Sequence, residues 1–274
     1  MSYTEVLSER VVAISISESP DMLALGLSDE HLKDAMAEIA RHLLALGSRL
    51  VYGGDLRANG FSNLLFELVS RHRRDAEIGD ARPGVVNYLA WPVHLRMAFA
   101  DIETAQVDLA DTAALICLEL NGSRLGMDAR RQLPQRQPSE AEWTDGLTAM
   151  RKVVLDESDA RIVLGGRVDQ YKGVMPGIAE EALMSLTAQQ PLFVLGGFGG
   201  CARDIAGVLG LVDLPNMPHG PWRGMEAFKA FTAASLNNGL TEEENAILAR
   251  TPHVDQAITL VLRGLVNVGT AAAT

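Results

Sequence analysis

Residues Pro191–Asp204 read PLFVLGGFGGCARD, and the fold is decided there. Leu192, Phe193, Val194 and Leu195 form a short apolar run between a proline and a glycine, the pattern of a strand buried on both faces. Gly196, Gly197, Gly199 and Gly200 follow within five positions, and Cys201 to Leu209 continue as a helix. A strand, a glycine turn and a helix start leave backbone N–H groups aimed at one spot. The helix dipole and those unsatisfied donors both favour an anion there, a phosphate above all. The plainer alternative is a tight turn in which glycine only solves a backbone problem.

Working outward, the same strand-then-glycine pattern recurs twice. Arg49–Gly53 is a strand leading into Gly53-Gly54-Asp55, with Arg57 and Asn59-Gly60 beyond it. Arg161–Gly165 is a strand leading into Gly165-Gly166-Arg167 and on through Lys172. Further strands are expected at Val11–Ser17, Val85–Trp91 and Ala113–Leu118, with helices between them. Ser28 caps the first helix, which runs to Gly47; others cover Phe61–Ser70, Leu95–Ala110, Trp143–Asp156 and Ile178–Ala188. This alternation predicts an α/β, Rossmann-like open parallel sheet with helices on both faces. Two or three helices close the chain, one introduced by Thr241 with Glu244 in capping-box spacing. The expected division is a Rossmannoid nucleotide-binding domain over 1–212 and a C-terminal helical extension over 213–274. Asn121–Glu142 breaks the rhythm with four arginines and two prolines, and reads as a mobile lid or a disordered stretch.

Composition narrows the function. With 47% hydrophobic and 22% charged residues, the 274-residue chain can bury a full core. Its net charge of −11 argues against nonspecific nucleic-acid or membrane binding, and the basic run Arg71-His72-Arg73-Arg74 sits at the end of a helix pattern, where it suits the helix's C-terminal carbonyls. No apolar run spans a bilayer and the first ten residues have no signal-like segment, so a soluble cytoplasmic protein is expected. Two cysteines make neither a disulfide framework nor a zinc site; Cys117 reads as core, and Cys201 as core or as a thiol at a helix start. The six histidines show no ligand spacing, so no metal and no resident cofactor are expected.

In an open parallel sheet, loops leaving the carboxyl ends of the strands share one edge, where ligands bind. The three glycine turns are therefore expected to share it, with Arg57, Arg167, Lys172 and Arg203 as cations beside them. The ligand-binding set is thus Gly53, Gly54, Arg57, Gly165, Gly166, Arg167, Lys172, Gly196, Gly197, Gly199, Gly200 and Arg203. No Gly-x-x-x-x-Gly-Lys-Ser/Thr motif is present, which argues against a P-loop ATPase.

VYGGD resembles the VYGGG element of the LOG-like, or SLOG, superfamily, and LGGFGGCARD resembles a variant of its PGGxGTxxE motif. Together with LGGR and KGVMPGIAEEAL, the resemblance covers about residues 10–212 and points to a branch linked to bacterial signalling and defence. It implies a nucleotide or NAD-derived ligand, bound by a sensor or processing component, with room for a homo-oligomer or an effector partner. It also implies the alternative of N-glycosidic cleavage of a nucleotide. Arg203 stands where the enzymes' catalytic glutamate would be, so Glu180 or Glu181 is the candidate acid. Both glutamates also suit the first turn of a helix without any catalytic role.

Overall fold

A computed structural model describes residues 5–57, 60–75, 84–110, 112–214 and 219–271. Asn59 of the first glycine loop and residues 215–218 of LPNMPHGPW lie outside the described residues, as do the side chains of residues 72–75. The elements in chain order are β1 (Val11–Ser17), α1 (Asp29–Ala45), β2 (Arg49–Gly53), α2 (Phe61–Asp75), β3 (Val85–Leu89), α3 (Trp91–Leu95) and α4 (Phe99–Asp108). There follow β4 (Ala113–Leu118), β5 (Arg124–Leu125), α5 (Met127–Gln132), α6 (Glu140–Asp156), β6 (Ala160–Gly165), α7 (Gly177–Thr187), β7 (Leu192–Leu195), α8 (Gly200–Val208), α9 (Glu242–Arg250) and α10 (Val254–Ala271). The sheet order is β5-β4-β3-β2-β1-β6-β7, parallel throughout except for the antiparallel β5. This is the expected α/β Rossmann-like architecture.

The chain winds outward from β1 through β4, then returns to place β6 and β7 on β1's other side. The order therefore reverses between β1 and β6, and a crevice opens at their carboxyl ends. Strand alternation sorts the two faces. Val12, Ile14 and Ile16 of β1 pack with Leu50 of β2, Leu164 of β6 and α1 on one face. Ala13, Ser15 and Ser17 face the opposite way, toward α6 and α7.

Outward winding covers the first face only as far as β1, and the C-terminal helices cover the rest. Leu248 of α9 and Ile258, Val261 and Leu265 of α10 join the cluster that holds Phe193 and Leu195 of β7. Gly264 permits this approach, since a Cβ there would lie 2.6 Å from the Phe193 ring. Among the described residues, no helix is long and apolar enough to cross a membrane.

Two segments depart from the sequence reading. Trp91 begins α3 instead of ending β3, because Pro92 suits a helix's first turn and cannot donate to a ladder. The stretch Asn121–Glu142 is neither lid nor disorder. It forms β5 and α5, and Arg130 at its centre is fully buried. The guanidinium of Arg130 donates to the carbonyls of His94, Met97 and Leu133 at 2.7, 2.9 and 3.1 Å, so its charge is a fastener inside the fold.

Candidate functional site

The site is built where small side chains leave room. Ser15 and Ser17 of β1 and Gly53 of β2 face α6 and α7, which answer with Leu147, Met150, Arg151, Gly177 and Glu181. The gap is a cavity of about 200 Å³. At Gly53 a Cβ would come within 2.6 Å of the Met150 methyl, so that flexible side chain would have to move.

Four charged groups meet at this cavity. Arg161, on a buried strand, reaches Ser15 Oγ at 2.8 Å, Ser185 Oγ at 2.9 Å and Glu181 at 3.3 Å. Arg151 of α6 pairs with Glu180, and its Nε lies 3.7 Å from Glu181. Thr148 also donates to Glu180. Burial pulls the Arg161 guanidinium below its ordinary value, with Glu181 opposing and Arg151 adding to the shift. Two donors in this buried cluster have no hydrogen-bond partner among the described residues: Arg161 Nη2, and Arg151 Nε, whose nearest carboxylate is Glu181 at ion-pair distance. Buried donors are nearly always partnered, and the residues that carry these two, Arg151 and Arg161, line the cavity.

On the other side of β1, a second pocket of about 270 Å³ is lined by Glu18, Asp29, Lys33, Arg57, Gly60 and Phe61. Arg57 pairs with Asp55, and Arg167 pairs with Glu18 at 3.2 Å. Burial raises the Glu18 carboxyl, but its backbone hydrogen bond and the Arg167 and Arg57 charges outweigh this and hold it below the usual range. The Tyr52 hydroxyl links the two pockets electrostatically. Burial pushes it up, and Asp55, Glu181 and Glu18 add to the shift.

The glycine turns divide between two places. Gly165-Gly166 and Gly199-Gly200 lie against each other: Cys201 N–H donates to Gly166 O at 2.9 Å, and a Cβ on Gly200 would sit 2.4 Å from that oxygen. Gly200 also has φ +63°, which disfavours any side chain. Gly54 packs against Tyr52 and Ser62. Gly196 and Gly197 face away from the crevice, toward Ala249 O and Thr251 O at the α9–α10 corner. The anion at the start of α8 comes from the chain itself. Asp21, from the loop after β1, accepts from Gly200 N–H at 2.6 Å, and His219 Nε2 contacts its other oxygen at 2.6 Å.

Among the expected cations, Arg57 lines the second pocket and Arg167 pairs with Glu18 beside it, Lys172 is exposed with no ion-pair partner among the described residues, and Arg203 lies on α8 with Gly196 and Gly197. Glu181 lines the cavity, whereas Glu180 is buried behind it. Cys201 is a core residue whose thiol burial pushes well up.

A family model described as SLOG cluster2 matches residues 6–219. The chain belongs to the SLOG cluster2 family. No curated protein matches it. The match includes every strand of the SLOG sheet and stops before α9 and α10, which complete the first face. Sequence reading of this SLOG protein missed Arg151, Arg161, Ser15 and Asp21. One signal was present for Arg161: an arginine inside a strand as apolar as ARIVLG must find partners, and the adjacent Glu180-Glu181 pair was available.

Proposed function

We propose that this SLOG protein binds a nucleotide-derived ligand in the crevice between β1, β2 and β6, as a sensor or processing component. One observation carries the reading: two buried guanidinium donors, Arg151 Nε and Arg161 Nη2, have no hydrogen-bond partner among the described residues, in a cluster that lines a cavity at the sheet's switch point. Family membership is consistent with a nucleotide-type ligand. Hydrogen-bonding acceptors of that ligand enter the cavity beside Glu181, and its phosphates reach past the end of β1 to Arg57 and Arg167 at the second pocket. The surface pairs of these two arginines with Asp55 and Glu18 hold them loosely, because exposed ion pairs contribute about 0–1 kcal/mol. Charge-assisted contacts to phosphate are stronger.

A second reading, N-glycosidic cleavage, rests on Glu181 alone, the one of the two candidate carboxylates that lines the cavity. Incubating the protein with AMP, NAD and ADP-ribose, and analysing bound and free species by chromatography, separates the readings. Intact ligand recovered with the protein is the expected result. Release of free base that stops in Glu181→Gln would establish the second reading instead. Failure of all three compounds to bind or react would remove the nucleotide assignment.

A further inference from the structure

A larger pocket, about 430 Å³, lies where the loop after β1, the GGFGG turn, α8 and the α9–α10 corner meet. Leu25, Leu27, Val212 and Leu214 give it an apolar wall. Gly196 and Gly197 let the α9–α10 corner close over it; a Cβ at either would lie within 2.7 Å of a backbone oxygen. The corner residues Ala249, Arg250 and Pro252 fall outside the family-matched span, so the pocket exists only because the C-terminal helices dock.

Its charges are unbalanced. Arg203 and Arg250 line it against a single acid, Asp213. Arg203 is half-buried and has no hydrogen-bond or ion-pair partner among the described residues. Arg250 is exposed; it donates through Nε to Ala246 O at 3.0 Å, and its terminal nitrogens have no partner among the described residues. In a chain of net charge −11, an excess cation over an apolar wall selects a particular chemistry.

We infer that this pocket is a second ligand site, separate from the crevice, for a small amphipathic anion. The ligand's apolar body lies on the leucine and valine wall, and its carboxylate or phosphate head meets Arg203 and Arg250. Arginine suits both heads, since its planar fork matches either oxyanion.

The test is calorimetric titration with 1-naphthyl phosphate, 1-naphthoate and the neutral 1-naphthalenemethanol. Both anions should bind saturably and the alcohol at least about tenfold more weakly, the scale of one charge-assisted contact. Tighter phosphate binding would point to a phosphate ester as the natural ligand, and tighter carboxylate binding to a carboxylic acid. Arg203→Met and Arg250→Met should each weaken the anions about tenfold and leave the alcohol unchanged; neither strands a buried partner, so both should fold. Leu147→Phe, which fills the crevice cavity, should leave naphthyl phosphate affinity unchanged. Equal affinity for alcohol and anions, no effect of Arg203→Met, or loss of binding in Leu147→Phe would each overturn the assignment.

Discussion

Gly197 shows how one residue's role turns on what it faces. As part of a phosphate cradle, it would be glycine so that a ligand could approach. In the fold its missing side chain admits the backbone of the α9–α10 corner, with Thr251 O only 2.1 Å from an added Cβ. Overpacking of this kind costs about 1–3 kcal/mol. At about 2–4 °C per kcal/mol for a chain of this size, Gly197→Ala should lower Tm by roughly 2–12 °C. Crevice binding of ADP-ribose should be unchanged in the folded variant. A variant that melts like the parent but loses ADP-ribose would instead place Gly197 at the ligand. Glu180 and Glu181 make the same point in another way: adjacent in sequence, they separate into one carboxylate buried behind the site and one at its wall.

At the scale of elements, strands and long helices were legible because buried strands and amphipathic helices carry their own periodicities. The β1–α1–β2 unit and the capping box at Thr241 follow from local patterns, whereas the box at Ser139, which starts α6 ahead of the expected Trp143, went unread. The region from α3 to α5 was not legible, because a single buried charge organises it. Arg130 supplies the donors that the carbonyls of His94 and Met97 at the end of α3 lack, and nothing in a run of arginines and glutamines tells which one turns inward. The same region holds a pH-sensitive group. His94 contacts Leu118 O at 2.8 Å through Nε2, and its Nδ1 has no hydrogen-bond partner among the described residues. Burial, with Arg130's charge adding, lowers its pKa to about 4, against the pull of the Leu118 carbonyl. The folded protein therefore keeps His94 neutral where the unfolded chain, at its ordinary 6.5, takes up a proton. The stability this contributes is complete above 6.5 and is lost as pH falls through about 4. His94→Gln keeps a donor for Leu118 O and cannot titrate. The parent's Tm should fall more steeply than the variant's across this window, and parallel curves would contradict the assignment.

Across the whole molecule, the parallel sheet was legible and the location of the cavity was not. Parallel strands bring sequence-distant loops to one edge, but the face on which a gap remains depends on register. Ser15, Gly53 and Arg161 meet only because β1 lies between β2 and β6 and turns its small residues toward α6 and α7. The C-terminal helices complete the opposite face and, in doing so, separate Gly196-Gly197 from the crevice.

If the buried guanidinium donors of this crevice receive a nucleotide-derived ligand, the Arg151 side chain reports on it directly. Its Nε–H signal can be followed by two-dimensional NMR during titration with AMP, NAD and ADP-ribose, in parallel with Leu147→Phe. With at least one of these ligands, the Nε–H resonance should shift and exchange more slowly with water as it gains an acceptor, and the response should be lost in Leu147→Phe. An Arg151 signal that stays fixed at saturation with every one of them would place the ligand elsewhere and contradict the account.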